Sequence, residues 1–453
     1  MNKAISFNRI ARYEGNVPRY TSYPTAVQFS DAVNSKDYTK WLQALSVEEP
    51  VSLYLHVPFC DELCRYCACN TLVMRREEAR EAYGDLLIEE LKRLTATLKT
   101  RRTVNFIHWG GGTPTTLPAK TMSKIMSFVR ESFFVSENAE ISIELDPRHF
   151  PLDYPDMLEA CGTTRVSVGV QDLDDRVQKA CGRIQSWEQT QSCIQAVRQV
   201  GIQSVNIDLI YGLPNQTLQS TRNTIQSVIR LQPDRLAVFG YAHVPWKFKR
   251  QTLLEGEKLP TMEERFEQRR IIDEELIKAG YDPIGLDHYA LPHDEMSKAA
   301  RNGTLHRNFQ GYTVDKARVL LGVGASAISI LPTGIVQNVT APVDYKKAIE
   351  RGGFPIIRGV ARNDDDRMRW DIIERLMCDL SVDLKKIARK HNQTEILFDN
   401  ILKNLRSFES DGLVKLSDYT IQVTEAGRPL LRNIAVLFDI YYHVAPQRHA
   451  QAI

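Results

Sequence analysis

Short runs of β-branched, aliphatic and aromatic residues recur along the first half of the chain. They are VSLYLHV (51–57), VNFIHWG (104–110), EISIELD (140–146), RVSVGVQ (165–171), SVNIDLIYG (204–212) and RLAVFGY (235–241). Between them lie longer segments with apolar residues at helical spacing. The clearest is REEAREAYGDLLIEELKRLTATLKT (76–100), rich in Ala, Leu, Glu, Lys and Arg. Segments 218–231 and 262–280 have the same character. Six strands alternating with helices predict a parallel α/β sheet, whose right-handed crossovers either wind flat or close into a barrel.

In both arrangements ligands collect at the C-terminal ends of the strands. That rule gathers His56 and Cys60 after the first strand and GGGT (110–113) after the second. It adds Glu144 and Asp146, Gln171 and Asp172, Asp208, and Tyr241 and His243 from the remaining four. Residues 284–335 are less regular. There HRNFQGYT (306–313) reads as a loop and LGVGASAIS (321–329) as a glycine-rich turn or strand. From about 361 the pattern changes to helices at 364–380 and 396–413, a hairpin over 414–424 and a further helix over 425–442. The expected division is an N-terminal arm (1–45), a central α/β unit with an extension (46–360) and a small, mostly helical, winged-helix-like domain (361–453). This last domain is poor in basic residues for a DNA reader, so a structural role is expected.

Charge and length narrow the function classes. Fifty-eight basic residues against 56 acidic ones, in 453, leave a net charge of +2, which gives no reason to expect nucleic acid or a membrane surface as partner. The first 20 residues contain no apolar core of a secretory signal. The longest apolar run, Val319 to Leu331, falls short of the ~20 residues of a membrane span. A soluble, cytoplasmic, monomeric protein is expected. Of eight cysteines, Cys161, Cys181, Cys193 and Cys378 are scattered and read as buried thiols. The other four, Cys60, Cys64, Cys67 and Cys69, crowd into HVPFCDELCRYCACN (56–70).

That cluster needs a metal or redox explanation. A structural zinc site typically uses two separated cysteine pairs, and no second pair or HxxxH follows. CxxC redox chemistry uses two thiols and leaves the others idle. Three thiolates at CxxxCxxC spacing can hold three irons of a [4Fe–4S] cube and leave the fourth iron open to another ligand. The run GGGTPT (110–115) is no Walker A loop, because no GK[ST] follows at the right spacing. Taken alone it could be an ordinary strand-ending turn.

A CxxxCxxC loop after the first strand of an α/β unit, with Tyr66 before its third cysteine, resembles the radical S-adenosylmethionine enzymes. The resemblance implies a partial (β/α)6 barrel. It also implies that S-adenosylmethionine chelates the open iron and is cleaved by one electron to a 5′-deoxyadenosyl radical. Backbone at the glycine run then approaches the methionyl amino group without a Cβ in the way, and Glu144 accepts from that amino group or from ribose hydroxyls. The likeness extends along nearly the whole chain to the oxygen-independent coproporphyrinogen III oxidases. It is carried by PRYTSYPTA (18–26), HWGGGTPT, ISIELDPR, SVGVQD, NIDLIYGLP, YAHVP, LHRNFQGYT, GVGASAIS and DGLV, and by the fourth cysteine, which makes the motif CxxxCxxCxC.

From that resemblance, Cys60, Cys64 and Cys67 are expected to ligate the cluster, and Cys69 to act beside it without ligating. Tyr54, Gly111 and Glu144 are expected to contact the cluster-bound S-adenosylmethionine. A second S-adenosylmethionine is expected against Tyr66, Gly112, Thr113, Gln171, Arg183, Asp208, Ala242 and Ile328. The implied substrate is coproporphyrinogen III, two of whose propionates become vinyl groups in protoporphyrinogen IX. An electron donor and a final electron acceptor are also implied. The four substrate carboxylates call for basic partners, and Arg19 is one candidate. His56, His108, His288 and His306 are as readily structural as ligand-touching, and Tyr23, Phe309 and Tyr312 either pack the core or line a macrocycle pocket. The rival readings are a haem chaperone or a haem-opening radical methyltransferase of the same superfamily, and a structural cluster or zinc protein without catalysis.

Overall fold

The computed structural model describes residues 7, 11–13, 15–151 and 153–442. Its centre is a twelve-stranded sheet. All six expected strands are present: β1 (Val51–Val57), β2 (Thr103–Gly111), β3 (Phe134–Leu145), β4 (Arg165–Gln171), β5 (Ser204–Tyr211) and β6 (Arg235–Gly240). They lie side by side in chain order and all parallel. The helices Glu77–Leu98, Ala119–Ser132, Trp187–Gln199 and Leu218–Ile229 fall between them. Ser186 and Thr217 start the last two with reciprocal capping boxes.

Alternation along each strand divides the sheet. Leu53, Leu55, Ile107, Trp109, Ile143, Val166, Val168 and Ile207 join Leu87, Leu91, Ile125 and Ile194 of the helices in one buried core. The intervening residues form a polar layer on the other face. Tyr54 pairs in register with His108, His108 with Ser142, and Glu144 with Ser167. The period of two puts apolar residues against the helices and reactive ones together on the opposite face.

The glycine-rich stretch, expected as turn or strand, is both: β7 (Val319–Val323) runs parallel to β1, and after a turn β8 (Ile328–Leu331) runs back against it. A Cβ on Gly322 would stand 2.4 Å from the Ile328 carbonyl oxygen, so the strands approach this closely only at glycine. The sheet continues antiparallel through β9 (Gly334–Asn338) and β10 (Ile356–Ala361). Two other expectations need correction. Residues 306–313 form a hairpin of His306–Asn308 with Gly311–Thr313, not a loop. Its three-residue strands are too short for a periodic signal. The helix expected over 425–442 is one short helix, Leu431–Ala435, between 3-10 turns.

Residues after 363 build a second core around Ile372, Leu376, Leu405, Ile421 and Phe438. The expected hairpin is there, Val414–Ser417 with Thr420–Val423, and Ser381–Asp383 adds a third strand. Val17, Tyr20 and Tyr23 are buried in this core, whereas Leu42 of the helix Ser35–Gln43 is buried in the first. The N-terminal segment thus straps one core to the other. Among the described residues, no helix is long and apolar enough to cross a membrane.

Candidate active site

A cavity of about 1070 Å³ opens at the C-terminal ends of the parallel strands. Cys60, Cys64, Tyr66, Cys67, Cys69, Gly111, Gly112, Thr113, Glu144, Gln171, Arg183, Asp208 and Ala242 all line it. Of the residues expected to touch a cofactor, Tyr54 and Ile328 do not. Tyr54 lies one inward position deeper on β1. Its ring stacks on His108 with centroids 5.9 Å apart, and its hydroxyl pairs with His56 Nδ1 at 2.9 Å. Ile328 begins β8, its backbone against Gly322.

The glycine run is required by its surroundings. Gly111 has φ +119°, and a Cβ there would meet the His56 ring at 2.5 Å. At Gly112 a Cβ would stand 2.5 Å from the Phe59 carbonyl oxygen and 3.0 Å from Cys60 Sγ. The Gly112 and Thr113 N–H groups donate to Val57 O at 2.8 Å and Phe59 O at 2.7 Å, which binds the end of β2 to the root of the cysteine loop. The Gly111 N–H donates to Glu144 Oε2 at 3.1 Å, and His108 Nε2 lies 3.3 Å from Oε1. Glu144 is therefore aimed by a backbone amide and an imidazole.

Donors also surround the thiols. Arg183 and Arg148 reach Cys64 Sγ at 3.6 and 3.8 Å. The Thr113 hydroxyl lies 3.9 Å from Cys60 Sγ, and the Cys69 N–H donates to Cys67 Sγ at 3.4 Å. Hydrogen bonding from Cys69 brings the Cys67 thiol down to about 6, whereas burial pushes Cys60 up to about 12.

Asp146 connects the two arginines, bonding Arg148 at 2.7 Å and Arg183 at 3.1 Å. Burial works against its ionisation, but Arg183 and Arg148 outweigh burial and hold the carboxyl below its usual range. Arg183 also donates to Gly169 O at 2.6 Å, so its contacts within the chain are to protein groups. The Arg148 contact was not anticipated, although DPR directly follows β3. Gln251 was missed as well. It donates to Tyr66 O at 2.8 Å and Ala242 O at 3.2 Å, tying the cysteine loop to the segment after β6, and no local motif announces it.

Gln171 sits at a bulge where the β4–β5 register shifts, with φ +71°. A left-handed glutamine facing a cavity is stored strain at a candidate site. Asp208 accepts from Ser167 and Asn206, both at 2.8 Å, and burial, followed by nearby Glu144, raises its carboxyl. Asp172, expected on the rim, is buried instead. It accepts from Gln216 at 2.6 Å and from the Asp174 N–H at 2.6 Å, and burial lifts it to about 7. Burial likewise draws His56 down to about 4, and its Nε2 lies 3.2 Å from Ser326 Oγ. His288 pairs with Asp287 and His306 with Glu374. Tyr23 and Tyr312 pack in the cores, and Phe309 is half-buried at the hairpin turn.

The donor set fits an iron–sulfur cluster. Among the described residues no three His, Cys, Asp or Glu side chains converge on one metal-ion position. Three thiols spaced along a cavity wall suit a cluster whose irons each take one thiolate.

A parallel strand series with such a loop and a glycine run across from it defines the class. Residues 54–228 match the radical SAM superfamily, and residues 363–430 match the HemN C-terminal domain. The oxygen-independent coproporphyrinogen III oxidase of Bradyrhizobium diazoefficiens is 42% identical over 97% of this chain and 98% of its own. That of Paracoccus denitrificans is 40% identical over 100% of both. A solved structure, coproporphyrinogen III oxidase (HemN) from Escherichia coli, described as a radical SAM enzyme, superposes with a TM-score of 0.91 at 39% identity, covering 97% of this chain and 100% of that one. The chain belongs to the oxygen-independent coproporphyrinogen III oxidases, radical SAM enzymes of haem biosynthesis. Membership of the superfamily implies a [4Fe–4S] cluster and S-adenosylmethionine.

Proposed function

We propose that this chain converts coproporphyrinogen III to protoporphyrinogen IX by oxidative decarboxylation of two propionates to vinyl groups. The observation that carries the reading is the convergence of Cys60, Cys64, Cys67, the glycine run and Glu144 on one cavity of about 1070 Å³, just above the usual range for small-molecule sites. When bound, the cluster and S-adenosylmethionine supply a carbon radical able to take hydrogen from an unactivated C–H bond.

The chain's own residues bind, orient and shield. Cys60, Cys64 and Cys67 hold the cluster. Glu144, aimed by Gly111 and His108, accepts from the cofactor's amino group or ribose hydroxyls, and Tyr54 braces His56 and His108 behind it. Cys69 lines the same wall and acts beside the cluster without ligating it. A second S-adenosylmethionine sits against Tyr66, Gly112, Thr113, Gln171, Arg183, Asp208 and Ala242, with Ile328 supporting from β8. The Gln171 strain, and the Ser167 and Asn206 donors that fix the Asp208 carboxylate at the cavity wall, support that placement. The reading includes a cytoplasmic monomer with separate electron donor and acceptor, organised as arm (1–45), barrel with extension (46–360) and C-terminal domain (361–453).

The test is anaerobic turnover of the reconstituted full chain with S-adenosylmethionine, reductant, an electron acceptor and coproporphyrinogen III. Protoporphyrinogen IX and 5′-deoxyadenosine are expected in step. Deoxyadenosine without porphyrinogen product would move the assignment to the haem-chaperone or methyltransferase branch. Neither product from protein with an intact cluster would leave a structural cluster.

A further inference from the structure

After β6 the chain makes a tight turn and then the 3-10 helix Lys249–Leu254. In the turn the Lys247 and Phe248 N–H groups donate to Val244 O at 2.9 and 3.1 Å. Trp246 stands at its tip, 64% exposed, and lines the main cavity together with Lys247. We infer that this turn is the macrocycle contact of the site: the Trp246 indole lies against a pyrrole face of the tetrapyrrole, and Lys247 meets one of its carboxylates. The inference rests on the porphyrinogen reading above.

The other four tryptophans, Trp41, Trp109, Trp187 and Trp370, are buried or half-buried. A lone exposed apolar side chain needs no explanation, but several around one opening do. Val27, from the N-terminal segment, and Leu63, from the cysteine loop, are 39% and 38% exposed and line the same cavity as Trp246. Phe239 of β6 and Phe248 of the turn, both half-buried, add to its wall. Four parts of the chain therefore present apolar side chains to one cavity. A ligand with a broad apolar body covers such a surface. Beside the indole, the Lys247 ammonium lies 5.6 Å from the Phe248 ring centroid and pairs with no carboxylate among the described residues. An apolar plane next to an uncommitted ammonium matches a tetrapyrrole, whose ring system is apolar and whose edge carries carboxylates.

The turn is tied to the cysteine loop. Gln251, fully buried in the 3-10 helix, accepts from the Val244 N–H at 2.7 Å. The same side chain donates to Tyr66 O at 2.8 Å and to Ala242 O at 3.2 Å. Its neighbour Arg250 donates to Thr71 Oγ1 at 2.9 Å and to Thr71 O at 3.0 Å. Two successive residues of the helix thus fasten it to the cysteine loop and to the residue that follows Asn70. A ring lying on Trp246 is therefore held in the same cavity as the thiols and the glycine run. The indole suits the task, because a large rigid side chain loses little conformational freedom when a ligand covers it. It can lie offset-stacked on a pyrrole, and an ammonium facing a carboxylate makes a charge-assisted bond. Ring and edge are then read by adjacent residues of one anchored turn.

Two measurements on the full-length, cluster-loaded protein test this. One is binding of coproporphyrin III, the oxidised form of coproporphyrinogen III, followed by fluorescence quenching. The other is KM for coproporphyrinogen III in anaerobic turnover. Trp246→Ala is expected to weaken binding about 10-fold and to raise KM by a similar factor, the effect of losing one aromatic face. Trp246→Phe keeps a ring and should stay within about 3-fold of wild type. Lys247→Met is expected to weaken binding about 2- to 5-fold, a loss that shrinks as salt rises. Iron content and the far-ultraviolet dichroism of each variant show that it is folded and loaded. Unchanged binding and KM in Trp246→Ala would overturn the inference and leave the porphyrinogen reading standing. Equal losses in Trp246→Phe and Trp246→Ala would trace the effect to the indole N–H and not to its face, and would overturn it too. Wild-type affinity of Lys247→Met at low salt would overturn the carboxylate contact. Wild-type protein that neither binds coproporphyrin III nor turns over coproporphyrinogen III would remove the porphyrinogen reading, and this inference with it.

Discussion

The cysteine end of the cavity and the basic groups beside β6 are built in opposite ways. At the cysteine end the functional groups come from short, continuous segments. Ten residues carry all four clustered cysteines, and three consecutive glycines lie against them. There the groups are soft or acidic, and backbone amides do much of the positioning. Beside the end of β6, Arg19, Arg265 and Arg432 come from segments more than 150 residues apart, and each donates to a backbone carbonyl. Three thiolates for one cluster can come at short spacing, and here one loop carries all of them. Basic groups that face a cavity carry no such spacing requirement, and the tertiary fold can bring them from anywhere.

The contrast is broken most severely within the cysteine loop. Cys64→Ser is expected to lose cluster iron and all turnover. Cys69→Ser should keep iron and visible absorbance close to wild type but lose turnover. Iron per chain measured beside product formation separates the two. Cys69→Ser protein lacking iron would make Cys69 a ligand and leave only one class of thiol on the loop.

A smaller effect tests whether the cysteine end acts independently of substrate binding. In Gly111→Ala the new Cβ would meet the His56 ring at 2.5 Å, with the backbone at φ +119°. The left-handed geometry alone costs about 1–2 kcal/mol. The Gly111 N–H that aims Glu144 would shift with it. Turnover is expected to fall about 10- to 100-fold, while coproporphyrin III binding stays within about 2-fold, as for sites that add independently. Equal losses in both measurements would show the two to be mechanically coupled.

The same contrast explains what could be read in the sequence. The six parallel strands were legible because buried strands between helices leave runs of apolar residues at regular intervals. The cysteine wall, the glycine run and Glu144 were legible because each ends a strand. Hidden were features set by partners distant in sequence. Asp172 ends its strand as Gln171 does, but Gln216 and Thr224, on a later loop and helix, bury it. Gln251 secures the cysteine loop from 185 residues away. Arg19 stood out only as a cation in a family-like segment, and nothing local marked Arg265 or Arg432 among the 58 basic residues. The hairpin at 306–313 failed for a different reason, since three-residue strands are too short for alternation to register.

The smallest expected effect concerns how the cysteine end is braced from behind. Glu90, on the helix Glu77–Leu98, is buried and accepts from Tyr345 OH at 2.6 Å, the Gly324 N–H at 2.8 Å and Asn338 Nδ2 at 2.8 Å. These bonds hold the turn carrying Ser326 against His56. Burial raises Glu90 from 4.5 to about 7, so below that pH the brace is a neutral acid. The folded chain keeps a proton that the unfolded chain releases near 4.5. This contribution to stability is therefore fully present below that pH and is lost as pH rises through about 7, by up to about 3 kcal/mol. Glu90→Gln removes the titration but turns an amide N–H₂ toward groups that themselves donate, at a cost of about 1–3 kcal/mol. The variant should be less stable than wild type in mild acid, with the gap narrowing toward pH 8, in urea unfolding at the two pH values. A gap that stayed constant would mean that Glu90 is ionised throughout this range. The pH dependence would then belong to Asp172, which burial also lifts to about 7.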